Sequence, residues 1–167
     1  MLSESARVTS AAELRFRVQA PNSRPRATTI IALDHPSGVV IRRLAEDPWN
    51  HATFLEAPVA DPPDDAEASD GWVTDLQGRR RRLRDEVNLS DQVIMMAAAG
   101  EPADGAATIG RACSLRRVTT TALIVGAQGI SDGDLARTLA RLRPWSLMVV
   151  LAGSDDYVTD LMTALRV

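Results

Sequence analysis

Short apolar runs alternate along the chain with stretches of helical period. Residues 92–98, Gln-Val-Ile-Met-Met-Ala-Ala, form one such run. It is too short for a typical helix, and unbroken rather than alternating apolarity marks a strand buried on both faces. Residues 119–125, Thr-Thr-Thr-Ala-Leu-Ile-Val, repeat the pattern with β-branched side chains. Between them Gly100-Glu101-Pro102 breaks the run, and Pro102 suits the first turn of a helix. That helix is expected over 103–115, where Ala107, Ile109, Ala112, Cys113 and Leu115 make an apolar stripe. Strand, helix and strand in this span predict a right-handed βαβ crossover.

The flanking sequence extends the pattern. Residues 28–33 predict a first strand, followed by an Asp34-His35-Pro36-Ser37-Gly38 turn, a helix over 39–45 and a second strand over 51–56. Residues 72–76 could add a short strand, and Gly78 opens an expected helix over 79–87. Ser131 caps a helix in which Leu135, Leu139 and Leu142 share a face, and Pro144 stops it. Residues 147–151 are the fifth strand of the count, and Ser154 caps a last helix with Tyr157, Val158, Leu161, Met162 and Leu165 on its apolar face. The expectation is one α/β domain over 26–167: a doubly wound, mostly parallel five-stranded sheet with helices on both faces, Rossmann-like. Residues 1–25 are read as a flexible arm or edge strand, and the aperiodic, proline-containing 57–71 stretch as a flexible acidic loop.

A length of 167 residues fits one domain. The net charge of −3 gives no reason to expect nucleic acid or an anionic membrane as partner. No apolar run reaches membrane-spanning length and no signal-peptide core opens the chain, while a single cysteine excludes an internal disulfide; a cytoplasmic address is expected. All 19 basic residues are arginine. The absence of lysine excludes a P-loop, a Schiff-base enzyme and a kinase-type ATP lysine.

In open α/β sheets ligands bind beyond the C-terminal strand ends. Two loops there are candidates. One carries Asp34, His35, Ser37 and Gly38; the other carries Gly100, Glu101, Asp104, Gly105 and, on the helix, Thr108. The glycines permit close backbone approach and Thr108 offers a hydroxyl, so a nucleotide or phosphorylated metabolite is the ligand class these loops would take. Glu101 and Asp104 weigh against phosphate, because carboxylates already satisfy a helix N-terminus. A Mg²⁺ site of Asp34 with Glu56 or Asp91 is compatible with spacing but unspecific; His35, His51 and Cys113 are too dispersed for zinc, and no metal site is assigned. No catalytic constellation is present in the sequence pattern. A second surface is the run Arg79, Arg80, Arg81, Arg82 and Arg84 with Trp72 and Trp145, suited to a protein partner or left as a solvated face.

The order of elements resembles the nucleotide-binding domain of the FtsZ/tubulin family. Residues 28–57 look like its first strand, loop, helix and second strand. Arg84-Asp85-Glu86 through Val125, with Ala98-Ala99-Gly100, looks like its acidic helix, strand, signature loop, helix and strand; the Gly153-Ser154-Asp155-Asp156 turn resembles the turn after a later strand. The family's glycine-rich loops are replaced here by residues 34–38 and 101–107. The run from Ser90-Asp91 to Glu101-Pro102 also resembles sugar-isomerase (SIS) phosphosugar-binding domains. Together these features imply a degenerate nucleotide-binding domain that acts by binding protein, as an accessory or assembly subunit or a homo-oligomer. The balance is against an enzyme.

Overall fold

A computed structural model describes residues 26–57, 71–165 and 167. The expected arm over 1–25 and all but the two end residues of the expected acidic loop lie outside them. Seven strands form one sheet: β1 (Thr28–Ala32), β2 (Ala52–Glu56), β3 (Trp72–Asp75), β4 (Arg80–Arg82), β5 (Gln92–Ala98), β6 (Thr119–Val125) and β7 (Met148–Ala152). Their spatial order is β4-β3-β2-β1-β5-β6-β7. β2, β1, β5, β6 and β7 are mutually parallel, and β3 and β4 add antiparallel at one end. The helices are α1 (His35–Leu44), α2 (Leu83–Asn88), α3 (Ala106–Arg116), α4 (Asp132–Leu142), which runs into a 3₁₀ turn at Arg143–Trp145, and α5 (Asp155–Ala164).

Alternate strand residues feed two cores. Ile30, Ala32, Ile94, Met96, Leu123 and Val125 pack with Ile41 and Leu44 of α1 and Val158 and Met162 of α5. Their sequence neighbours Ile31, Leu33, Val93, Met95, Ala97, Ala122 and Ile124 pack with α2, α3 and α4 through Leu83, Val87, Ile109, Cys113 and Leu142. A period of two in side-chain direction explains why β1, β5 and β6 read as unbroken apolar runs: both faces are covered. Cys113 is fully buried, and burial pushes its thiol up to about 12.

The sheet therefore has seven strands, not five, and the extra pair corrects the expected helix over 79–87. β4 pairs with β3 through Trp72–Arg82, Val73–Arg81 and Thr74–Arg80, and the helix starts only at Leu83. An edge strand with no buried face carries no apolar signal, so Arg80-Arg81-Arg82 gives no period to read. Two helix starts also move. Asp34 is the N-cap of α1, so His35 to Gly38 form its first turn rather than a loop. The α3 helix begins at Ala106 behind Gly105, leaving Pro102 in the preceding loop. Among the described residues no helix is long and apolar enough to cross a membrane.

Candidate functional site

β1 leads through α1 to β2 on one side, and its other neighbour β5 leads through α3 to β6 on the other. The crossovers diverge at the C-terminal ends of β1 and β5, the position where open α/β sheets hold ligands. Both candidate loops border this point.

Asp34 joins them. Its Oδ1 accepts the Ser37 N–H at 2.8 Å, and the Ser37 hydroxyl closes a capping box back onto residue 34. Its Oδ2 accepts the Ala98 N–H at 2.9 Å, tying the start of α1 to the end of β5. One turn on, a Cβ at Gly38 would stand 2.9 Å from Glu56 Oε1, so the absence of a side chain there admits the Glu56 carboxylate. Glu56 in turn pairs with Arg42 at 2.7 Å. His35 is exposed beside this arrangement.

The second loop turns inward. Gly100 adopts φ +91°, where a side chain would be strained and would also strike Ile130. Its N–H donates to Thr138 Oγ1 at 3.0 Å, and that hydroxyl donates to the Glu101 carbonyl at 2.9 Å. Thr138, on α4, is fully buried. Gly105 backs onto Ala57 and Leu33, the residues that follow β2 and β1. Asp104 is exposed, and the Thr108 methyl reaches the position a Gly71 side chain would take. The two stretches thus border one another, Asp34 and Ser37 bonded together and to the end of β5, Gly100 and Glu101 bonded to α4. Asp91 lies at the opposite end of the sheet from Asp34, accepting the Ala27 N–H at 2.9 Å, so those two carboxylates cannot share an ion. No group of three or more metal-ligating side chains occurs among the described residues.

The second candidate surface divides. The Arg80 and Arg82 guanidinium groups lie over the Trp72 ring, 5.0 and 5.6 Å from its centroid. Arg81 takes the other face of β4 and reaches Asp75 at 3.3 Å and Glu86 at 3.1 Å. Arg79 also pairs with Asp75, at 2.8 Å. Arg84, in the first turn of α2, lies 3.7 Å from Asp85. Trp145 is not part of this patch. It sits against Gly110 of α3, its carbonyl accepts the Thr120 hydroxyl at 2.8 Å, and Arg111 covers its ring at 5.6 Å. Three strands separate β3, which carries Trp72, from β6, to which Trp145 is bound.

Sequence reasoning passed over Glu56 as a neighbour of Gly38, Thr138 and Gly110. Thr138 had a readable signal: it falls on the stripe of Leu135, Leu139 and Leu142, and a hydroxyl at a core-facing position needs a partner.

Asp75 ties the hairpin together. Burial works to raise its carboxyl, but the Arg79 and Gln77 backbone N–H groups and the Arg79 guanidinium hold it below the ordinary carboxylate value of 3.8. A carboxyl depressed in the folded state contributes stability above its unfolded value, and loses that contribution as pH falls through the folded one. The Tm gap between wild type and Asp75→Asn is therefore expected to be full at neutral pH and to close on acidification below about pH 4, set by the unfolded carboxyl. Thermal melts at stepped pH check this; a gap independent of pH would show that Asp75 acts only through packing.

No protein-family model matches the chain, and no curated protein matches it significantly.

Proposed function

We propose that this chain is a non-catalytic accessory or assembly protein that works by binding protein on a doubly wound, Rossmann-like scaffold. The scaffold would be a degenerate form of an FtsZ/tubulin-like nucleotide-binding domain, its phosphate loops replaced by residues 34–38 and 101–107. The observation that carries the reading is apolar exposure at an edge strand. Leu147, just before β7, and Met148 and Leu151 within it are 82%, 40% and 45% exposed, so apolar side chains border this edge on both faces of the sheet, in addition to the exposed Val39, Leu89, Leu115 and Tyr157 elsewhere. The mutual hydrogen bonding of Asp34, Ser37, Ala98, Gly100 and Thr138 supports it from the other side, because groups already satisfied offer a ligand little.

A thermal-shift screen against nucleotides and sugar phosphates tests this. A ligand at 100 times its Kd adds about 2.7 kcal/mol, which for a domain of this size raises Tm by about 5–10 °C. No shift and no turnover are expected. A shift of that size, lost in Gly105→Glu, would replace this reading with a small-molecule site between Asp34, Ser37, Gly100 and Thr108.

A further inference from the structure

We infer that two copies of this chain join through β7, edge to edge and antiparallel about a two-fold axis at Val150, so that one sheet runs through both. The inference deepens the protein-binding reading and rests on it.

The two edges of the sheet differ in kind. β4 is three residues long and entirely arginine, the short charged edge that resists further pairing. β7 is five residues, Met-Val-Val-Leu-Ala, with neither charge nor proline. Its inner side is paired with β6, and no described residue pairs with its outer side. The Leu147 N–H donates inward to the Thr120 carbonyl at 2.9 Å. Alternation then turns the amide groups of Val149 and Leu151 inward and those of Met148, Val150 and Ala152 outward.

The exposed side chains select an added strand over a docked face. Val149 packs with the core on the α2–α4 side and Val150 with the core on the α1 and α5 side. By the same alternation Leu151 points to the first side and Met148 to the second. A partner lying on one face of the sheet would cover one of them; a strand beside β7 borders both.

The residue pattern of this edge suits a second copy of itself. With the axis at Val150, Met148 of each copy stands opposite Ala152 of the other, a large side chain against a small one. Val150 meets Val150, and the three outward residues of each copy exchange about six hydrogen bonds. Leu151 falls opposite Val149 in the closer kind of pair, where cross-strand side chains touch. The edge carries no charge to repel its own image, and a net charge of −3 opposes association only weakly.

Light scattering on size-exclusion chromatography of the full chain, from low to high micromolar, reads the mass. Wild type is expected at twice the chain mass. Val150→Pro removes an outward N–H and leaves the β6 ladder its donors; Leu151→Lys places charge on an exposed position. Both are expected to give monomers with wild-type circular dichroism. Should the proline unfold the chain, the lysine variant decides. Val149→Cys and Leu151→Cys copies mixed in equal amounts are expected to form a covalent dimer on mild oxidation, since residues facing each other in the closer kind of pair stand about 4.5 Å apart between Cα atoms, within disulfide reach, and the one native thiol is buried. A wild-type monomer throughout, a dimer unchanged by Leu151→Lys, or no cross-link between Val149→Cys and Leu151→Cys copies in a dimer would each overturn the inference. The reading beneath it fails differently: native mass spectrometry would find a bound metabolite, whatever the mass of the chain.

Discussion

Gly110→Ala is expected to lower Tm by about 4–8 °C, the reverse of the usual effect of alanine in a helix. Gly110 lies in the middle of α3, where glycine costs about 1 kcal/mol relative to alanine. The reason it stands there is Trp145. A Cβ at 110 would overlap the Trp145 Cβ and lie 2.8 Å from two of its ring atoms, closer than atoms can approach. Trp145 cannot yield easily, because its carbonyl holds the Thr120 hydroxyl and Pro144 stiffens the 3₁₀ turn that carries it. Overpacking at about 3 kcal/mol, less the helical gain, leaves a net loss of about 2 kcal/mol. Gly110→Val should cost more, since a branched side chain must also be placed. The check is a double-mutant cycle by thermal or urea melts with Trp145→Ala. That change alone opens a cavity, but in its background Gly110→Ala should be neutral or stabilising. An equal loss in both backgrounds would show that the glycine serves the helix and not the tryptophan.

This contact shows where the sequence stops being legible. The strands β1, β5 and β6 declare themselves because burial on both faces writes an unbroken apolar run, and the α4 and α5 caps declare themselves because Ser131 and Ser154 accept the N–H groups of Asp134 and Tyr157. Gly110 and Trp145 are 35 residues apart in the chain, and neither residue type names the other. The same limit hid β4. An edge strand of arginines is held by cross-strand bonds to Trp72, Val73 and Thr74 and by Asp75, partners a local window cannot supply. At the candidate site the residues were legible and their engagements were not. Asp34, Gly100 and Glu101 stand just past strand ends and Ser37 in the first turn of α1, but whether such groups face a ligand or one another depends on Ala98 and Thr138.

The two edges extend the argument from site to function. A protein under selection only to stay monomeric would protect both ends of its sheet alike. Here the arginines of β4 are drawn back onto Trp72, Asp75 and Glu86, while β7 offers apolar residues to both sides. Among the described residues the strand-end crevice is consolidated by hydrogen bonds and the outer side of β7 is unpaired.

Asp34 gives the sharpest separation of the two functional readings, because its carboxylate is either a structural clamp or a group held ready for a ligand. Asp34→Ala is expected to destabilise by about 2–4 kcal/mol: about 1 for the lost helix cap and about 1–3 for the Ala98 N–H left without its acceptor. In Tm this is roughly 4–16 °C. Asp34→Asn divides the sum. Asparagine caps a helix as well as aspartate does, but its amide presents one oxygen where the carboxylate presents two. With that oxygen on the Ser37 N–H, the amide nitrogen faces the Ala98 N–H, donor against donor. The asparagine variant should therefore keep the cap and lose the bridge to β5, and melt between wild type and Asp34→Ala. Hydrogen exchange locates the loss: the Ala98 amide should exchange faster in both variants, the Ser37 amide only in Asp34→Ala. A clamp behaves this way without any ligand present. A Tm unchanged in Asp34→Ala would mean that the carboxylate contributes nothing to the fold it bridges, and would return residues 34–38 to the status of an unspent binding site.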